Sequence, residues 1–444
     1  MRHDDASKKE APGTPTTHDT HDAAPLIYPE DHLPLTRLLP LGLQHVIAMF
    51  GATVLAPILM GFDPQVAIFF SGVGTLIFLA ITGGKVPSYL GSSFAFIGPV
   101  LAVTGGDAAH IPEALFGIAA TALLYALGGA ATMRFGSRWI DRLMPPIVTG
   151  TVVALIGLNL ASSSVTHILG PALRVATSAD SQNLLVATVT FGVAAASAVY
   201  LRGFLRLIPI LLGVLAGSAL AAALGLVDAA AIAKMGQAAW IGLPPFQLPR
   251  PSLSSAAIIA PVVVVLFAEN KGHIAAIGGY LDRDLSPSLG RAYVGDALAS
   301  LVSALGGGTP QTTYAENMGV MAITRVFAIG NFIVAALVAI FLGVCPKFGA
   351  LILAIPNPVL GGVTLILYGL ITLMGIKIWL DAHINFSNQK NLLVAGIPLI
   401  VATGLGVKGI TVGSLNIAGI ALGTVLALLL ELLLGLGGKP TSAS

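Results

Sequence analysis

From about residue 39 to residue 437 the chain alternates apolar runs of about 20 residues with short breaks of Gly, Pro or charge, and about fourteen such runs can be counted. A helix that crosses a bilayer needs about 20 mostly apolar residues, so the chain reads as a polytopic helical membrane protein. Composition agrees. Only 9% of the residues are charged against 55% hydrophobic, and the mean hydropathy is +0.90. A water-soluble surface for 444 residues cannot be covered with so few charges.

The basic residues test the count. Placing the N-terminus in the cytoplasm puts sixteen of the 22 Lys and Arg on the inside and five outside, with Lys271 within a run. That asymmetry follows the positive-inside rule. It predicts an even number of spans, both termini cytoplasmic and residence in the inner (cell) membrane. Residues 1–32 are polar and rich in Pro, Thr, His and Asp, and read as a disordered cytoplasmic tail; residues 439–444 form a second short tail. His18 and His21 belong to the solvated first tail. The single Cys345 excludes an intrachain disulfide framework and a multi-cysteine metal site.

Two runs are weak. Residues 87–104 and 310–324, the third and tenth runs, are short and rich in Gly, Pro, Ser and Thr. They also resemble each other: Ser92-Ser93-Phe94-Ala95 followed by Gly98, and Thr312-Thr313-Tyr314-Ala315 followed by Gly319. Copies seven spans apart enter the membrane from opposite sides, so the pattern predicts an inverted repeat with two interrupted helices. Irregular backbone at that depth is tolerated only where protein or a polar cavity satisfies it. The ligand site is therefore expected at these breaks.

Charge within the spans points to the same place. Glu269 and His273 lie four residues apart, on one helical face. Glu316 sits within the tenth run itself. Carboxylates and an imidazole beside one cavity suit proton coupling. Lys271 faces away from the Glu269/His273 side, to snorkel or to pair with another acid. Asp296 and His45 are expected in supporting positions, and Phe94 offers a ring to stack on a flat ligand or to pack. Glu431 reads as interfacial. Pro145-Pro146 and Pro356/Pro358 start or kink spans at corresponding places in the two halves.

At these residues the sequence resembles the nucleobase–cation symporter-2 family, also called nucleobase–ascorbate transporters. The family signature appears as Glu316-Asn317-Met318-Gly319 followed by Thr324-Arg325. Gln44 to Pro57, Tyr89 to Val100 and Ala268 to His273 are similar to the uracil-permease branch, and the likeness runs from about residue 33 to the C-terminus.

The resemblance implies fourteen transmembrane segments in a 7+7 inverted repeat, with short strands in broken segments 3 and 10. A core (33–138, segments 1–4, and 251–348, segments 8–11) would carry substrate. A gate (139–250, segments 5–7, and 349–438, segments 12–14) would form the barrier and a homodimer contact. Glu269 and Glu316 would accept from ring N–H groups, the amides of Phe94 and Ala315 would donate to carbonyls, and Phe94 and Tyr314 would line the pocket. Protons would be handled by Glu269, His273 and Glu316, with His45, Asp296, Asn317, Thr324 and Arg325 in support. Asn270, Lys271 and Ala315 depart from the residues usual in that branch.

The expected partners are a nucleobase, uracil first, together with protons and the lipid bilayer. Cofactor, metal and nucleic acid are not called for. A purine or xanthine symporter of the same fold is the alternative, followed by a facilitator or channel. An anion exchanger would be opposed by two acids at the site. No paired nucleophile and base suggests an enzyme.

Overall fold

The computed structural model describes residues 25–170, 175, 177–406, 409–412 and 415–436. His18, His21 and residues 439–444 lie outside them. In order the elements are α1 (Leu35–Met60), α2 (Pro64–Thr82), β1 (Leu90–Ser92), α3 (Ile97–Thr104), α4 (Ile111–Phe135), α5 (Arg138–Leu143), α6 (Pro146–Leu169), α7 (Ser178–Tyr200), α8 (Pro209–Ala223) and α9 (Ala229–Gln237). There follow α10 (Leu253–Ile259), α11 (Val262–Leu281), α12 (Leu289–Leu305), β2 (Gln311–Thr313), α13 (Ala315–Thr324), α14 (Ile329–Gly343) and α15 (Pro346–Leu353). The chain ends with α16 (Asn357–Asp381), α17 (Gln389–Leu405), β3 (Ile410–Val412), β4 (Leu415–Ile417) and α18 (Gly419–Leu436).

Fourteen membrane segments map onto these elements. Segment 3 is β1 followed by a 3₁₀ turn at Phe94–Phe96 and α3; segment 8 is α10 and α11, broken beside Pro261; segment 10 is β2 and α13. Among the described residues seven helical stretches are long and apolar enough to cross a bilayer by themselves, and α14 with α15 would make an eighth but for an 81° bend between them. Local chemistry sets the ends. The Asp63 carboxylate caps α2 by accepting from the N–H groups of Gln65 (2.7 Å) and Val66 (3.3 Å), with Pro64 at the first helical position. Pro145 and Pro356 stand immediately before α6 and α16, so each proline pair initiates a span.

The packing shows the repeat. α2 packs on α14 and α12 on α4, α7 on α8 and α17 on α18, α7 on α16 and α17 on α6. Each contact in these pairs becomes the other when every segment is advanced by seven. α6 and α16, themselves related in this way, pack on each other. The helices thus form two sets, α1, α2, α4, α12 and α14 in one and α6, α7, α8, α16, α17 and α18 in the other. The sets meet where α3 touches β4 and α18, and where Ala48 and Val320 pack on Ile208.

Residues 25–32, assigned to the tail from composition, are held against the bundle. Ile27 bridges Val326, with Ile27 N–H donating to Arg325 C=O (2.9 Å) and Phe327 N–H to Ile27 C=O (2.8 Å). Glu30 takes both terminal nitrogens of Arg283 (3.0 and 2.6 Å), whose guanidinium lies 4.2 Å from the Tyr28 ring centre. The half-buried Leu26 and Tyr28 side chains, packed on the core, add apolar contact to these bonds.

Candidate functional site

Broken segments 3 and 10 cross each other as an antiparallel strand pair, with Leu90 opposite Thr313, Gly91 opposite Thr312 and Ser92 opposite Gln311. A two-stranded ladder has two outer edges, and in a membrane neither can be left bare. Leu90 N–H donates to the Thr75 hydroxyl of α2 and Gln311 N–H to the Ser300 hydroxyl of α12, both at 2.9 Å. Two hydroxyls in apolar helices therefore close both edges.

These bonds correct the matching of the two copies made from sequence. Ser93 N–H donates to Pro310 C=O (2.9 Å), and its counterpart is Tyr314 N–H to Tyr89 C=O (3.0 Å). Equivalent residues are thus Leu90 and Gln311, Ser93 and Tyr314, Phe94 and Ala315. The Ser92-Ser93-Phe94-Ala95/Thr312-Thr313-Tyr314-Ala315 alignment is one residue out of step. The reason is geometric: the twofold axes of an antiparallel ladder pass through facing residue pairs, so symmetric copies differ in number by an odd amount. Side-chain similarity carries no information about that.

Ser93 and Tyr314 are the residues preceding the two helical starts, so Phe94 and Ala315 are the first residues of half-helices that point away from the crossing. The first amides of a helix have no partner in its ladder, and they present partial positive charge. Glu316 lies in the first turn of α13. α11 runs past this crossing and touches β2, the Phe94–Phe96 turn and α13, bringing Glu269 to it. Phe94, Glu269, Ala315 and Glu316 are half-buried, whereas their chain neighbours Ser93, Ala95, Ala268, Asn270, Tyr314 and Asn317 are buried. The four are accessible members of an otherwise closed wall. Glu269 and Glu316 come to the crossing from α11 and α13, two helices that touch there.

Behind them lies a buried polar layer. His273 Nδ1 is 2.8 Å from Thr313 Oγ1 and ties α11 to β2. The Asn270 amide donates to the Tyr125 hydroxyl (3.2 Å) and to the carboxylate of Asp296, joining α4, α11 and α12. Asn317 Nδ2 lies 3.1 Å from both His45 Nδ1 and the His45 carbonyl. The Tyr314 hydroxyl donates to Ser92 C=O (3.1 Å), and its ring covers Gly91. Tyr314 is only 3% exposed, so it supports the strand crossing from within the protein. Thr324 and Arg325 end α13, with Arg325 in the left-handed region at φ 56°, and are not brought to the crossing. Lys271 lines a separate cavity of about 580 Å³ with Ser137, Asp282 and Arg283. Glu431 pairs with Lys390 at 2.7 Å.

Sequence reasoning gave no role to Thr75, Ser300, Tyr125 or Asn270. The signal for the first two is a hydroxyl in the middle of an apolar span, which is common enough to be uninformative until the strand edges are seen.

The family model Xan_ur_permease, described as the Permease family, matches residues 36–412. The chain belongs to this nucleobase–cation symporter-2 permease family. Within it, the Escherichia coli (strain K12) protein RutG, designated a pyrimidine permease, is 43% identical over 417 residues, which is 92% of each chain. The uracil permease of Bacillus caldolyticus is 39% identical over 434 residues, covering 94% of this chain and 96% of that one. The uracil permease of Escherichia coli (strain K12) is 39% identical over 404 residues, 90% and 92% of the two chains. Among solved structures, the transmembrane domain of the cyanobacterial bicarbonate transporter BicA superposes with a TM-score of 0.61 at 15% identity, covering 90% of this permease and 98% of that chain. The murine anion transporter Slc26a9 in its inward-facing state gives 0.65 at 12%, covering 92% and 70%. At these identities the likeness is one of fold. This permease is an integral membrane transporter.

Proposed function

We propose that this permease is a proton-coupled symporter that carries uracil, or a closely related nucleobase, into the cell by alternating access. The observation that carries the reading is the accessible quartet at the strand crossing. Two carboxylates, Glu269 and Glu316, stand beside two helix-start amides, those of Phe94 and Ala315. A pyrimidine dione alternates ring N–H donors with carbonyl acceptors, and this set offers the complementary acceptors and donors. The ring of Phe94 supplies an apolar face. Relatives designated pyrimidine and uracil permeases support the same substrate class.

Two neighbouring acids in a site of low dielectric repel unless a proton or a ligand N–H lies between them. Proton uptake from outside would favour the loaded state, and its release inside would loosen the hold on substrate. Residues 33–138 and 251–348 would carry the site as a core. Residues 139–250 and 349–438 would form the gate and the contact of a homodimer. The two helical packing sets support that division. The inner-membrane, termini-inside orientation rests on the distribution of Lys and Arg.

The test is uptake of labelled uracil into proteoliposomes under an imposed pH gradient, beside Glu269→Ala and Glu316→Ala. Gradient-dependent accumulation, lost in both variants, is the expected result. Failure of unlabelled uracil to compete, or flux that only equalises concentrations, would overturn it.

A further inference from the structure

We propose that a groove between the two helical sets holds an acyl chain of an anionic phospholipid, with the lipid phosphate at Lys234 and Lys347. The groove has a volume of about 710 Å³ and runs along α1 and α8 to close against α9 and α15. Its lining is apolar except for Ser218. The mouth is formed by Leu43, Leu215 and Leu351, which are 49%, 58% and 52% exposed. α1 and α8 are apolar helices of the membrane bundle, so this mouth opens to hydrocarbon rather than to water.

The rim says which molecule enters. Lys347 Nζ sits 4.7 Å from the centre of the Trp240 ring, and that ring is 71% exposed. A paired Trp and Lys at a helix end mark the headgroup level of a bilayer. Lys234 is exposed on α9, between Ile232 and Met235, which both line the groove. The segment that follows α9 is fixed to the other rim, with Lys347 N–H donating to Ala239 C=O and Gly242 N–H to Val344 C=O, both at 3.0 Å. Lys234 and Lys347 are thus the chain neighbours of Met235 and Phe348, which line the slot, and put two positive charges at its rim. Asp228, at the start of α9, is engaged in capping that helix through Ala230 N–H at 3.0 Å. This polarity matches a phosphate above a hydrocarbon chain. A peptide occupant would bring backbone groups that the lining cannot satisfy.

The groove lies between α1 and α8, which belong to different helical sets, so its occupant bridges the two. The site does not depend on which solute is carried, and its test needs no transport.

Purified protein, stripped of lipid in detergent, is titrated with phosphatidylglycerol or with phosphatidylcholine of the same chains, and Tm and bound lipid by native mass spectrometry are read. The wild type is expected to gain several degrees from phosphatidylglycerol and less from phosphatidylcholine. Lys234→Gln with Lys347→Gln should abolish that difference, and Ser218→Phe, which fills the slot, should remove the response to both. The lysine pair is at the surface, so it keeps the test valid if Ser218→Phe fails to fold. Equal responses of wild type and lysine variant would overturn the proposal. So would a change in the monomer–dimer ratio on altering the rim, which would make the groove a contact between copies.

Discussion

The Tyr314 hydroxyl reaches from one half of the repeat into the other, donating to the Ser92 carbonyl at 3.1 Å while its ring lies on Gly91. The contact holds the two broken segments at their crossing. A Cβ on Gly91 would occupy the space of that ring. Gly91→Ala should therefore destabilise the protein by ~1–3 kcal/mol, the range for overpacking a tight core. It should lower Tm in detergent and reduce uptake. Tyr314→Phe, which loses one hydrogen bond and keeps the ring, should cost about 1 kcal/mol.

Glu269→Gln and Glu316→Gln preserve shape and remove charge. A hydrogen bond to a charged partner contributes ~1.5–3 kcal/mol, so each variant should lose about 10- to 100-fold in apparent substrate affinity, with Tm close to that of the wild type. Equilibrium binding of labelled uracil to purified protein separates this from loss of coupling. Unchanged binding in both variants would remove the carboxylates from the site.

Much of this site is legible before folding. Charge is so rare in the spans that Glu269, Glu316, His273 and Asp296 stand out, and hydropathy falters at the two broken segments. The pairing of those segments is not legible. A three-residue strand has no periodicity to read, and its edge partners, Thr75 and Ser300, are single hydroxyls in otherwise ordinary helices. The one-residue error in matching the copies has the same root, since facing backbone bonds rather than residue types decide the register. The family resemblance implies Tyr314 at the pocket, and only packing shows it serving as the brace behind the strand.

Asn317 offers a third prediction. Its side chain meets both the ring nitrogen and the carbonyl of His45, at 3.1 Å each, and Asn317 is fully buried. Asn317→Ala takes the amide partner from the buried His45 Nδ1 and should cost ~1–3 kcal/mol. Because Asn317 follows Glu316, uptake should fall further than Tm alone would account for. His45→Ala with Asn317→Ala should be less than additive in Tm.

The Glu30–Arg283 pair predicts a pH dependence at the bundle face where α1 begins. The hydrogen bond from Arg283 holds the Glu30 carboxyl below its usual range, and Glu30 in turn raises Arg283. A carboxylate lowered in this way stabilises the fold above the ordinary carboxylate range and loses that contribution as pH falls through its depressed value. Glu30→Gln should therefore lower Tm slightly at neutral pH. The gap from wild type should close below about pH 4, where carboxyls of ordinary pKa are already protonated. Both groups are exposed, so added salt should also narrow it. A gap that persisted in acid would mean that the effect of Glu30 does not come from its charge, and no gap at neutral pH would leave the docking of residues 25–32 to the Ile27 backbone bonds and the Leu26 and Tyr28 side chains.

The ladder between β1 and β2 also limits how the gene for such a chain can change. Inserting or deleting one residue in either break would turn every later side chain of that strand to the opposite face and move the start of its half-helix off the crossing. The two halves are free to diverge in identity, as Phe94 and Ala315 have. Their spacing at the breaks is shared property, so a length change in one is tolerated only with a compensating change in the other.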